Sequence, residues 1–186
     1  MDAIKSVRRS RARQSGMSLI ELMIAMVVLV VGMLALMTLV TTSTGSNNRN
    51  KLDTTGTLVA EKVLDGIAAT QNTTFTMTDC NPAGVTTWTI GSAPAASPGA
   101  GASVTSNGNI DFTQAYSGVT ANYKMRYVSC GVGGTQATYD VRWNVLRLTD
   151  YTKLVTVSAR QLGVNPTNTN LPFFSPPITL RTIAGQ

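Results

Sequence analysis

The sequence predicts an α+β fold, in which one long N-terminal helix packs its second half on an antiparallel β-sheet of three to five strands. Three observations point there. Residues 17–40 are almost wholly apolar, and Leu52, Val59, Val63 and Ile67 then recur at helical spacing. Beyond residue 120, apolar and polar residues alternate with period two, the mark of half-buried strands. A helix stripe and a sheet face each remove their apolar surface from water by packing together.

The long helix begins at about Ser18 and is expected to reach Ala69. From Leu22 to Met37 no residue is charged or strongly polar, and the run extends to Val40 across Thr38. At 1.5 Å rise per residue, about 20 helical residues cross the hydrocarbon core, so Met17–Val40 is long enough to span a membrane. The stretch is too long for the apolar part of a secretory signal peptide, and VTTSTGSNNRNK follows it without an A-x-A-like cleavage site. It is therefore expected to stay with the mature protein. Gly45 marks a weak point at Ser43–Asn48, and residues 41–70 continue as an amphipathic helix.

Residues 71–186 are expected to form the sheet domain. VTTWTI at 85–90 reads as a short strand, and the Ala-, Gly-, Ser- and Pro-rich stretch 91–108 as a flexible surface loop. In Asn122–Ser129, Tyr123, Met125 and Tyr127 alternate with Lys124 and Arg126. In Thr138–Leu148, Tyr139, Val141, Trp143 and Val145 alternate with Asp140, Arg142 and Asn144. One face of each strand is predicted to lie in the core and the other in water. Trp143 is placed against the stripe Val59–Val63–Ile67. Thr149–Thr152 reads as a hairpin turn into a strand at Lys153–Ala159, and Ile178–Ile183 as an edge strand.

Composition narrows the function classes. The 186 residues are 43% apolar, and the charged share of 13% is about half the usual quarter. The net charge is +6, but Lys5, Arg8, Arg9, Arg11 and Arg13 against Asp2 place +4 in residues 1–16 and leave +2 for residues 17–186. A nucleic-acid partner is therefore not expected from charge. The basic cluster reads instead as a flank that stays cytoplasmic while the next segment enters a membrane. No cofactor or metal is expected. The chain has no histidine, no G-x-S-x-G, no P-loop and no Rossmann fingerprint; Asp79, Asp111, Asp140 and Asp150 form no motif, and Gly131–Gly134 reads as a turn. An enzyme is not predicted.

Cys80 and Cys130 are the two cysteines. They form neither a CxxC pair nor a zinc set, so a disulfide in an oxidising compartment is the simple reading, and two buried thiols are the alternative. On the chain-entropy model, closing that loop stabilises by about 4 kcal/mol.

The informative block is Gly16-Met17-Ser18-Leu19-Ile20-Glu21, with the basic leader before it and the apolar run after it. An acid inside such a run needs a reason, because a mid-membrane Asp costs roughly 2.5–3.5 kcal/mol on lenient scales. Glu21 lies near the edge of the segment, where the cost is smaller, yet in a packed apolar bundle it would want a positive partner. The block GMSLIELMIAMVVLVVGMLAL resembles the type IV prepilin signature. That resemblance implies removal of the leader 1–16 by a prepilin peptidase cutting after Gly16, and N-methylation of the new terminus at Met17. It also implies that Glu21, the fifth mature residue, pairs with the terminal ammonium of a neighbouring subunit.

Within that family, VVLVVGMLALMTLV and the pattern YDVRWNVLRL…KLVTVSA resemble PilV-type minor pilins. The same C-terminal pattern is similar to I-type pseudopilins of type II secretion, and a DNA-binding pilin of a competence system is a further alternative. Thr38 stands where many major pilins carry proline, which argues against a principal subunit. The resemblance implies a single-pass protein of the bacterial inner membrane with its C-terminal domain in the periplasm. It then joins other pilin and minor pilin subunits, through an inner-membrane assembly platform, in a filament serving attachment or pilus biogenesis. Lys124, Arg126, Arg142 and Arg147 could present charge to DNA, but alternation puts Lys124 and Arg126 opposite Tyr123 and Tyr127, and stacking recognition wants both on one surface.

Overall fold

A computed structural model describes residues 18–81, 84–130, 137–162 and 176–185. The chain divides into two compact units, residues 1–46 and 47–186. Helix α1 runs from Leu19 to Ala69, and the expected weak point at residues 43–48 is helical. Ser18 is its N-cap by position, since its carbonyl accepts the first helical bonds from the Glu21 and Leu22 N–H groups at 3.0 and 3.2 Å. Where the apolar run turns polar, the threonines stay compatible with a helix by turning their hydroxyls back on it. Thr38 Oγ1 donates to the Ala35 carbonyl at 2.8 Å, and Thr42 Oγ1 to that of Thr38 at 3.0 Å.

In the second unit, the stripe Val59, Ala60, Val63, Leu64 and Ile67 of α1 is buried in one core with the inner faces of the strands. Strands β1 (Thr74–Thr78) and β2 (Thr87–Gly91) pair antiparallel as a two-stranded sheet. The second sheet holds β3 (Ala100–Gly101), β4 (Lys124–Val128), β5 (Thr138–Arg147), β6 (Thr152–Leu162) and β7 (Ile178–Gly185). All its pairings are antiparallel; β3 and β4 both pair with β5, opposite different stretches of it, and β6 joins β5 to the edge strand β7. The β5–β6 turn is the expected hairpin, closed by the Leu148 and Thr149 N–H groups donating to the Thr152 carbonyl.

Trp143 is fully buried in the core that holds the helix stripe, and its indole N–H donates to the Gly91 carbonyl at 2.8 Å. The Tyr139 hydroxyl donates to the Leu52 carbonyl at 2.9 Å and ties β5 to α1. Gly66 lets α1 approach β1: a Cβ there would collide with the Phe75 ring. The last turn of α1 has no basic residue of its own, and β6 supplies one. Lys153, 3% exposed, reaches the Thr70 carbonyl with its ammonium at 3.4 Å, and burial pulls its pKa below the ordinary lysine value.

Two expectations need correction. Residues 91–108 are not a free surface loop. Ala95 bridges Leu146, Ala100 and Gly101 pair with Val145 and Asn144, and Ser92 and Ala102 are buried. The second face of β5 is not in water either, since Asp140, Arg142 and Asn144 are only 2–5% exposed. A covering segment causes both differences. Ala102, Ile110 and Val119 form a small second core, with Phe112 packed against it, and the polar row of β5 bonds to the chain above. Asn144 Nδ2 donates to the Ala102 carbonyl at 2.8 Å, and Arg142 Nη1 to that of Gln114 at 2.6 Å.

Candidate functional site

Ser18 and Glu21 stand at the positions of a capping box, N-cap and third helical residue. An acid there also meets the positive end of the helix dipole. Glu21 is exposed in that first turn, so its carboxylate is available to a partner from outside the chain. Beyond it, every large apolar residue from Leu19 to Val40 is 52–76% exposed. Surface of that extent calls for lipid or other protein around it. The helix holds an 18-residue window of mean hydropathy 2.8, long and apolar enough to cross a membrane. Gly16, Met17 and the rest of the leader lie outside the described residues.

Cys80 and Cys130 are joined by a disulfide, with their Cα atoms 5.1 Å apart. It links the chain leaving β1 to the chain leaving β4. Beside it, the Asp79 carboxylate accepts the Trp88 indole N–H at 3.1 Å and the Thr86 and Asn81 N–H groups at 3.0 and 3.3 Å. Burial alone would raise the Asp79 pKa, but these donors outweigh it and hold the carboxyl below its usual value. Asp79 is a structural anchor.

The basic residues weighed from the sequence separate into two environments. Arg142 is a buried partner of Asp140, with Nε and Nη2 bonded to its two carboxylate oxygens at 3.0 and 2.8 Å. Lys124 and Arg126 lie on the opposite face of β4 from the buried Met125 and Tyr127, as alternation required. An aromatic ring nevertheless meets them there: Tyr116 lies 4.8 Å from both cationic centres. Sequence alternation could not show this, because Tyr116 comes from the covering segment. Gly131–Gly134, read as a turn, lies outside the described residues. Among the described residues, no cluster of three His, Cys, Asp or Glu could hold a metal.

Residues 11–37 match the prokaryotic N-terminal methylation motif. Over those residues the chain is type IV pilin-like. The motif spans the expected cleavage junction, Glu21 and most of the exposed apolar run, and family members of this kind are generally structural. It does not extend into residues 38–186, and it does not select the PilV-type group over other pilin-like proteins. No curated protein and no solved structure matches the chain significantly.

Proposed function

We propose that the chain is a minor pilin of a type IV pilus: cut after Gly16, methylated on Met17, stored in the inner membrane, and inserted into or priming a filament. The observation that carries this reading is the methylation motif laid on a helix whose residues 19–40 expose apolar side chains, with one acid, Glu21, in its first turn. Residues 19–40 suit two surroundings in turn, lipid for the stored monomer and other apolar helices in the filament. Leu, Ile, Val and Met gain little by exchanging lipid for one another, so apolar contact alone gives assembly no strong direction. External work from an assembly platform and a charge pair that sets register meet that need.

Glu21 is that charge. In a low-dielectric bundle an unpaired carboxylate is costly, and the terminal ammonium of a neighbouring Met17 offsets the cost only in the correct register. A minor role is favoured over a principal one at Thr38. Thr38 keeps the backbone N–H that a helix needs and turns its hydroxyl to the Ala35 carbonyl, where the proline of many major pilins would remove a helical bond. The test is fractionation of cells carrying the tagged full chain. The reading expects it in sheared filaments at low stoichiometry, and in membranes when the assembly ATPase is absent. Retention in the membrane of cells with abundant filaments, with none in the sheared fraction, would contradict it.

A further inference from the structure

The two sheets of the second unit leave a cleft between β2 and β4. One end is pinned by the Gly91 N–H of β2, which donates to the Asn122 carbonyl at 2.6 Å, and the other by the Cys80 N–H, on the chain leaving β1, which donates to the Val128 carbonyl of β4 at 3.1 Å. The Cys80–Cys130 disulfide lies at the second end. Between the pins, both strands offer unpaired edges. In β4, Tyr123 and Ser129 bond toward β5 and its flank, which sets the odd-numbered residues to that side. The backbone groups of Lys124 and Arg126 therefore point the other way. In β2, the bonds of Asp79 to Thr86 and of Ser92 to Thr73 set the even-numbered residues toward β1, so those of Thr87 and Thr89 face β4.

A cavity of about 610 Å³ fills this gap, lined by Thr87, Trp88, Thr89, Tyr116, Lys124 and Arg126 among others. That volume lies in the range of small-molecule sites. Asp79 accepts the Trp88 indole N–H and so fixes that ring, while the Lys124 ammonium donates to the Tyr116 backbone carbonyl at 2.7 Å and fixes the chain that carries the second ring. Its charge is uncompensated, since among the described residues the ion pairs all go to Asp140, and Lys124 and Arg126 have no acid partner. Arg126 is exposed beside the cavity with its guanidinium over Tyr116.

We propose that this cleft binds an acidic saccharide, a sugar ring carrying a carboxylate or sulfate. The anion is met by Arg126 and Lys124, because a guanidinium fork matches the paired oxygens of either group. Sugar hydroxyls pair with the strand-edge N–H and C=O groups and with the threonine hydroxyls, and the C–H face of the ring packs on aromatic surface. The pins lie six residues apart along β4, about 20 Å at strand spacing. A short, compact ligand fits between them. A nucleic acid would need a groove that runs on, with cations tracking its backbone.

The test is calorimetric titration of the full chain in detergent micelles at low salt. The probes are a sulfated uronate disaccharide, its desulfated form, lactose, and a short oligothymidylate. We expect binding of the sulfated probe and none of lactose. Binding of the desulfated uronate as well assigns the carboxylate as sufficient; its failure assigns the sulfate. Arg126→Gln should weaken binding about tenfold or more, whereas Arg181→Gln, at a residue bonded to Asn107 and Asn109, should leave it unchanged. The proposal is overturned if neither acidic disaccharide binds, if lactose binds equally, if Arg126→Gln keeps wild-type affinity, or if oligothymidylate binds more tightly than both. None of these outcomes depends on filament assembly.

Discussion

Glu21 and Asp79 are both acids in opposite settings. Glu21 is exposed in a first turn whose surroundings are apolar, so the proposed charge pair needs a partner from outside the chain. Glu21→Ala is expected to leave membrane insertion and leader removal intact and to lower recovery in sheared filaments several-fold. Quantitative immunoblotting of the filament and membrane fractions reads this directly, and wild-type recovery would leave the charge pair without support. Asp79 is satisfied internally, by Trp88, Thr86 and Asn81. Its pKa is lowered from 3.8 in the folded protein, so its contribution to stability is present above about pH 4 and lost as pH falls through the lower folded value. Denaturant titrations of the solubilised chain should show wild type losing stability below pH 4, and Asp79→Asn, already weaker at neutral pH, losing less over the same interval. Equal acid losses would remove Asp79 from that account.

At the scale of elements, α1 changes character along its length. Residues 19–40 are exposed all round, whereas after residue 55 one stripe is buried and the other face is not. Ile67→Ala, at a fully buried position, should cost about 2–5 kcal/mol. Leu58→Ala, at a position 58% exposed, should change stability by less than about 0.5 kcal/mol. Denaturant unfolding of the two variants side by side checks the register. This helix was legible in the sequence because its signals are local: an uninterrupted apolar run, then a stripe at helical spacing. So were β4 to β7, where β-branched and aromatic residues alternate with polar ones. β1 was missed although Phe75 and Met77 alternate with threonines in TFTMT, because five residues are a short signal and the strand needs β2 beside it. The burial of Asp140, Arg142 and Asn144 was hidden for a related reason. Alternation shows which face a residue takes, but not that Phe112 and Tyr116, remote in sequence, cover that face. Of the candidate site, the methylation motif and the paired cysteines were legible, while the β2–β4 cleft arises only where two sheets meet.

For the whole molecule, the disulfide and the N-terminal signature belong to one account. Cys80 and Cys130 pair and hold the two sheets together at one end, and the proposed function places this domain in an oxidising compartment, where such a bond persists. Replacing both by serine should lower unfolding free energy by about 2–5 kcal/mol. Thiol labelling of the denatured, non-reduced wild type should find no free thiol. The central claim, however, is that this chain is matured as a prepilin, and one measurement tests it most directly: mass spectrometry of the N-terminal peptide of protein recovered from sheared filaments of the native host. The account predicts a peptide beginning at Met17 and carrying an N-methyl group. An intact Met1 in assembled filaments, or a terminus near residue 45, would contradict it.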